Sequence, residues 1–97
     1  MKLEFHPDAN SELLESANSY LALSVRLGLD FGEKFQIALD KIVSNPKAWP
    51  VYKKATRRVR LQRFPYAVIY KIRKTDIFIV AVMHLHRNPK YWQYRLK

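Results

Sequence analysis

Cysteine is absent from the 97 residues, and glycine occurs only twice, as Gly28 and Gly32. Without cysteine there is neither a disulfide framework nor a thiolate metal site. Two glycines four positions apart make neither a Walker loop nor a dinucleotide fingerprint, which excludes the common nucleotide-binding enzymes. No apolar run approaches the roughly 20 residues that span a bilayer as a helix. The longest, Ile77 to Met83, is far shorter. The N-terminus has no long apolar stretch behind a basic start, so no signal peptide is expected. These absences predict a soluble protein of the cytoplasm that makes no contact with a membrane.

Acidic residues are nearly missing from the second half. Residues 51–97 hold 13 Lys and Arg against the single acid Asp76, whereas residues 1–50 hold 5 bases and 7 acids. The net charge of +10 therefore sits entirely in one half. A basic block of this density points to phosphate or to an acidic protein partner. A merely solvating surface would intersperse both signs.

What is present reads as one domain over residues 1–97 with 48% apolar residues, enough for a compact core. Lys2 to Phe5 alternates as a half-buried strand does. Pro7 suits a first helical turn, and Asp8 and Glu12 lie where the helix dipole favours negative charge. Leu13, Ala17, Tyr20, Leu21 and Ser24 then form a stripe edged by Leu14, and Gly28 is expected to end this helix. Asp30 is expected to cap a second helix, with Glu33 three residues on. Phe31, Phe35, Ala38, Leu39 and Ile42 give that helix its apolar face, and Asn45-Pro46 ends it.

The period then changes to two. Arg58, Arg60 and Gln62 alternate with Val59 and Leu61, Phe64-Pro65 breaks the run, and Tyr66 to Arg73 reads as a second strand. Lys74-Thr75-Asp76 is a hairpin connection, and Ile77–Met83 is apolar enough to be a central strand covered on both faces. Pro89 ends the strands, leaving a short tail or helical turn. The fold class is α+β: an N-terminal strand and a two-helix hairpin packed on a mostly antiparallel four-stranded sheet, with a short C-terminal tail. Phe31, Phe35, Leu39 and Ile42 are expected to pack on Val68, Tyr70, Ile79 and Ala81.

The candidate functional surface is a set of bases interleaved with aromatics. Arg58 and Arg60 leave one side of a strand, with Arg57 and Arg63 beside them and Lys53 and Lys54 just before. His84, His86, Arg87, Tyr91, Trp92 and Arg95 follow the central strand. Guanidinium groups bind phosphate or carboxylate bidentately, and aromatic rings stack on unpaired bases. Core packing is the competing role for Tyr66, Tyr70 and Trp92. His84 and His86 have no carboxylate or cysteine near them in sequence, so no metal site is expected. No cofactor is expected either.

Four stretches resemble the RelE/ParE superfamily of toxins from type II toxin–antitoxin systems. They are Phe5-His6-Pro7-Asp8-Ala9 with Glu12-Leu13, Asn45-Pro46, the run from Arg60 to Tyr70, and the run from His84 to Arg95. The resemblance covers nearly the whole chain and implies a RelE-like fold and a poison silenced by a cognate antitoxin in a hetero-oligomeric complex. It divides by target. The ribonuclease branch cuts messenger RNA on the ribosome, and by that resemblance His84, His86, Arg87 and Tyr91 are the catalytic candidates. The other branch poisons DNA gyrase and has no established catalytic residues. Ala67 and Leu85 stand where the ribonuclease branch commonly carries basic residues. Phe64-Pro65-Tyr66 and Arg87-Asn88-Pro89 with Tyr91, Trp92 and Arg95 look more like the gyrase-type, plasmid-stabilisation branch. On that reading Arg58, Arg60, Arg63, Arg87, Tyr91, Trp92 and Arg95 contact the target. A non-toxic nucleic-acid-binding module is the weaker alternative.

Overall fold

The computed structural model of the chain describes residues 2–96. Strand β1 (Lys2–Phe5) leads into α1 (Pro7–Leu23) and α2 (Val25–Ser44), followed by β2 (Arg57–Arg60), β3 (Tyr66–Ile72), β4 (Asp76–His84) and a C-terminal 3-10 helix over Pro89–Leu96. The sheet order is β1-β4-β3-β2. β2, β3 and β4 form the antiparallel meander, and β1 pairs in parallel with β4, Phe5 opposite Ile79. The α+β architecture is the expected one. Among the described residues no helix is long and apolar enough to cross a membrane.

The helical hairpin turns at Ser24, six residues before the expected cap at Asp30. Ser24 has extended backbone angles, and its hydroxyl accepts from the Leu27 amide at 3.2 Å, capping α2. Ser24 is thus a cap, neither part of the first helix's stripe nor part of its body. Gly28 does not end α1, and Asp30 does not cap α2; both lie inside α2. Gly28 is there for close packing: a Cβ on it would come within 3.0 Å of the Leu21 Cα across the hairpin and overlap the Leu21 side chain. A single connecting residue brings the helices that close. Leu21, placed on the buried stripe by spacing, and Leu14, placed at its edge, are exposed.

Phe31, Phe35, Ala38, Leu39 and Ile42 are all buried on the sheet, as their spacing predicts. Phe31 stacks on Tyr20 with ring centroids 5.1 Å apart and meets Phe64 edge-on at 5.2 Å and Tyr66 at 5.6 Å. Val68, Tyr70 and Ile79 complete this layer. Ala81 does not. The register of β3 against β4 passes from Ile69–Ala81 to Tyr70–Ile79, so Val80 is an extra, bulged residue. The bulge turns Val80 and Ala81 to the same side, and both pack on the opposite face with Ala67, Ile69, Met83 and Trp92. β4 is covered on both faces, by the helices and by the C-terminal 3-10 helix. Asp76 begins β4 and Arg73 sits in the turn, where its guanidinium grips Asp76 with two bonds of 2.6 Å.

Replacing Phe31 by Ala empties the centre of this aromatic cluster and is expected to cost about 3–5 kcal/mol. Leu14→Ala, on an exposed position, should change stability by less than about 0.5 kcal/mol. Chemical denaturation of both variants checks the assignment of the helix faces.

Candidate basic interface

Edge strand β2 sets its arginines by simple alternation. Val59 points into the helix-side core, and Arg57 lies on the same side opposite Tyr70; Arg58 and Arg60 lie on the other, opposite Ile69 and Ala67. Arg57 is consumed locally: its Nη1 donates to the Trp49 carbonyl at 2.5 Å. Arg58 stacks over the Tyr52 ring at 4.5 Å, and Tyr52 in turn lies 6.4 Å from the Trp92 ring. Arg58 and Arg60 share a concave surface with Lys41, Trp49 and Tyr52.

Before β2 the chain makes a tight turn that presents two lysines. Lys54 and Ala55 have φ of 56° and 61°, the left-handed region that costs a non-glycine residue about 1 kcal/mol or more. Buried Thr56 holds the turn: its hydroxyl donates to the Lys53 carbonyl at 2.5 Å, and its own carbonyl accepts from the Tyr52 amide at 2.6 Å. Lys53 and Lys54 are thereby directed outward. Lys53 lines a shallow cavity of about 450 Å³ with His86, Arg87, Asn88, Pro89, Lys90 and Gln93, a lining with no acidic side chain.

The C-terminal half of the surface rests on the 3-10 helix. Trp92 is fully buried, and its indole N–H donates to the Met83 sulfur at 3.2 Å. Arg95 is buried as well, clamped to both Glu12 carboxylate oxygens at 2.9 and 3.1 Å and to the Val80 carbonyl at 3.1 Å. Trp92 and Arg95, expected on the contact surface, are interior residues that fasten the helix to α1 and β4. Tyr94 donates to the Asp8 carboxylate, and that bond first, then the Arg95 charge, holds the Asp8 carboxyl below its ordinary range.

Tyr91 lies half inside this arrangement. The Arg87 guanidinium sits over its ring at 3.6 Å, with Arg95 at 5.2 Å. Its hydroxyl is buried without a hydrogen-bond partner among the described residues. Burial, and then the nearby Glu12 charge, push its ionisation far above that of a free tyrosine. His84 packs against Tyr66 and His86 with ring centroids 5.1 and 5.2 Å away, and its Nδ1 accepts from the His86 amide at 3.1 Å. His84, Arg87 and Tyr91 also share a small cleft with Glu12, Glu15 and Tyr66.

The structure thus gathers Arg58 and Arg60 with Lys41 and Tyr52 on one concave surface, and Lys53, the residue after Tyr52, with His86, Arg87 and Lys90 on another. It separates Arg63, which pairs with Asp30 at the helical hairpin. Lys41, Tyr52 and Lys90 join the surface although the sequence reading passed over them. Lys90 was recoverable, since it stands in the basic Asn-Pro-Lys turn; Lys41 belongs to a helix otherwise read only for its core face. Among the described residues no group of His, Asp and Glu is arranged to hold a metal ion.

The family described as the ParE toxin of the type II toxin–antitoxin system parDE matches residues 3–89. No curated protein matches the sequence. Among solved structures, a chain of the chromosomal ParDE toxin–antitoxin system from P. aeruginosa superposes with a TM-score of 0.75 at 18% identity, covering 89% of this chain and 97% of that one. At that identity the likeness is one of fold.

The burial of Tyr91 has a measurable sign. A group whose ionisation is raised in the fold adds stability that is present below its unfolded value of 10.0 and is lost as pH climbs past it. Tyr20 and Tyr70 are raised too, first by burial. Alkaline absorbance titration should show these three rings ionising later than the rest, and Tyr91→Phe should shrink the late component by one ring. A single step near pH 10 for all rings would contradict the packing described.

Proposed function

The chain belongs to the ParE toxin family of type II toxin–antitoxin systems, and from that membership we propose that it arrests growth by poisoning DNA gyrase in the cytoplasm and is neutralised by a cognate antitoxin. The observation that carries the reading is the character of the basic surface. Its cations lie in two groups, Arg58 and Arg60 with Tyr52, and Lys53 with His86, Arg87 and Lys90, and neither concave surface has an acidic side chain in its lining. Such a surface suits electrostatic docking on a protein–DNA target more than proton transfer. Ala67 adds to this. It is fully buried in the layer with Ile69, Met83 and Trp92, at a position where a ribonuclease of the related branch commonly carries an arginine. Leu85 likewise packs into the layer around Trp92.

One observation favours the ribonuclease reading. His84, Arg87 and Tyr91 open on one cleft with Glu12 and Glu15, so an acid–base pair can be drawn there. In it, however, Glu12 is already engaged by Arg95 and by the Val82 amide at 3.0 Å.

The purified chain should inhibit supercoiling by gyrase and leave messenger RNA on ribosomes uncut. His84→Ala and Tyr91→Phe should each retain toxicity. Reversing Lys53 and Arg87 together to Glu should weaken gyrase inhibition by roughly tenfold or more, the loss of one to two charge-assisted contacts. Cut message with unaffected supercoiling would transfer the chain to the ribonuclease reading. The antitoxin's affinity should fall with rising salt, because partners attracted to a surface of this charge are screened.

A further inference from the structure

An exposed apolar surface lies on the helical hairpin. Leu23, Val25 and Leu29 are 76, 69 and 67% exposed, and Leu21 is 42% exposed. Side chains this apolar and this open in one place mark a contact surface. On α2 the spacings of three and four put Val25, Leu29, Gly32 and Gln36 on one face with Leu29 at its centre. Arg26 and Glu33, seven residues apart, share one flank of that face. Asp30 beyond them is occupied by Lys34 at 3.3 Å and by Arg63. Arg26 makes no ion pair among the described residues, and Glu33 has only the adjacent Lys34 at 3.4 Å.

We propose that two copies of the chain pair here, α2 against α2, antiparallel about a two-fold axis beside Leu29. The charge pattern selects this occupant. A two-fold axis across antiparallel helices keeps each flank on its own side and reverses the order along it. Arg26 of one copy therefore faces Glu33 of the other, twice, while Leu29 meets its own equivalent, as an isologous interface requires. Gly32 has nothing within 4 Å of where a Cβ would be, which leaves room for Val25 of the second copy. The half of the chain carrying this face has a slight excess of acid, whereas the other half carries the whole positive charge. Two copies can approach only with their basic halves turned away from each other. An acidic segment of another protein would instead meet Glu33 beside Leu29.

A contact of a single helix pair buries less than the ~1,200 Å² of standard stable interfaces, so dissociation on the order of tens of micromolar is expected. Sedimentation equilibrium of the purified chain over that range should show a monomer–dimer equilibrium. Leu29→Glu should weaken it at least about tenfold. Arg26→Glu and Glu33→Arg should each weaken it severalfold, and the two combined should restore it to within about threefold of the wild type. Circular dichroism verifies that each variant folds. A chain that stays monomeric throughout, a dimer indifferent to Leu29→Glu, or a double exchange that fails to rescue would each overturn the proposal. Binding of the antitoxin to the wild type but not to Leu29→Glu would assign the face to that partner instead.

Discussion

The bidentate ion pair between Glu12 and Arg95 holds the functional half of the molecule in place. β1 ends at Phe5, and the His6 amide makes the last ladder bond to the Ile79 carbonyl at 2.9 Å. Beyond that point the edge of β4 has no neighbouring strand. Glu12 accepts from the Val82 amide there and Arg95 donates to the Val80 carbonyl, so two side chains stand in for the missing strand. The bulge at Val80 falls at the same place. Both side chains are largely buried, at 16 and 6% exposure. Either charge left alone would be strongly destabilising, although a well-packed apolar pair could replace both. One contact thus joins α1, the open edge of β4 and the C-terminal helix.

From that junction the rest of the surface follows. With Arg95 anchored and Trp92 set into the sheet, Tyr91 is held half inside and Arg87 is laid over its ring. The turn bearing Lys53 and Lys54 meets this helix through Tyr52 and Trp92. The arginines consequently divide into two kinds. Arg57, Arg73 and Arg95 are spent on the chain's own carbonyls and carboxylates. Arg58, Arg60 and Arg87 remain outward with the lysines, against aromatic rings or solvent. A dense but unpaired set of cations on a rigid backing is suited to docking, since little conformational freedom remains to be lost on binding.

Much of this was legible in the residues. The period of three and four placed Phe31, Phe35, Leu39 and Ile42 in the core, and the change to period two placed the meander and its central strand. The errors share a cause. Gly28 and Asp30 have the chemistry of a helix stop and a helix cap, but the packing of Leu21 on Gly28 lets the hairpin turn at Ser24 instead. Ala81 obeyed its period until a bulge with no sequence signature reversed it. Arg95 and Trp92 looked like surface residues because their partners, Glu12 and Met83, are supplied by other elements. Glu12 itself gave only a helix-dipole signal, and no spacing rule connects residues 83 positions apart.

The most direct test is a double-mutant cycle on Glu12→Gln and Arg95→Met, read by denaturant unfolding. If this pair carries the junction, each single change should cost about 3–5 kcal/mol, and the double change markedly less than their sum, with a coupling of about 2 kcal/mol or more. Additive costs with negligible coupling would mean that Trp92 and the sheet hold the C-terminal helix without the ion pair, and the account of a surface organised from that contact would be wrong.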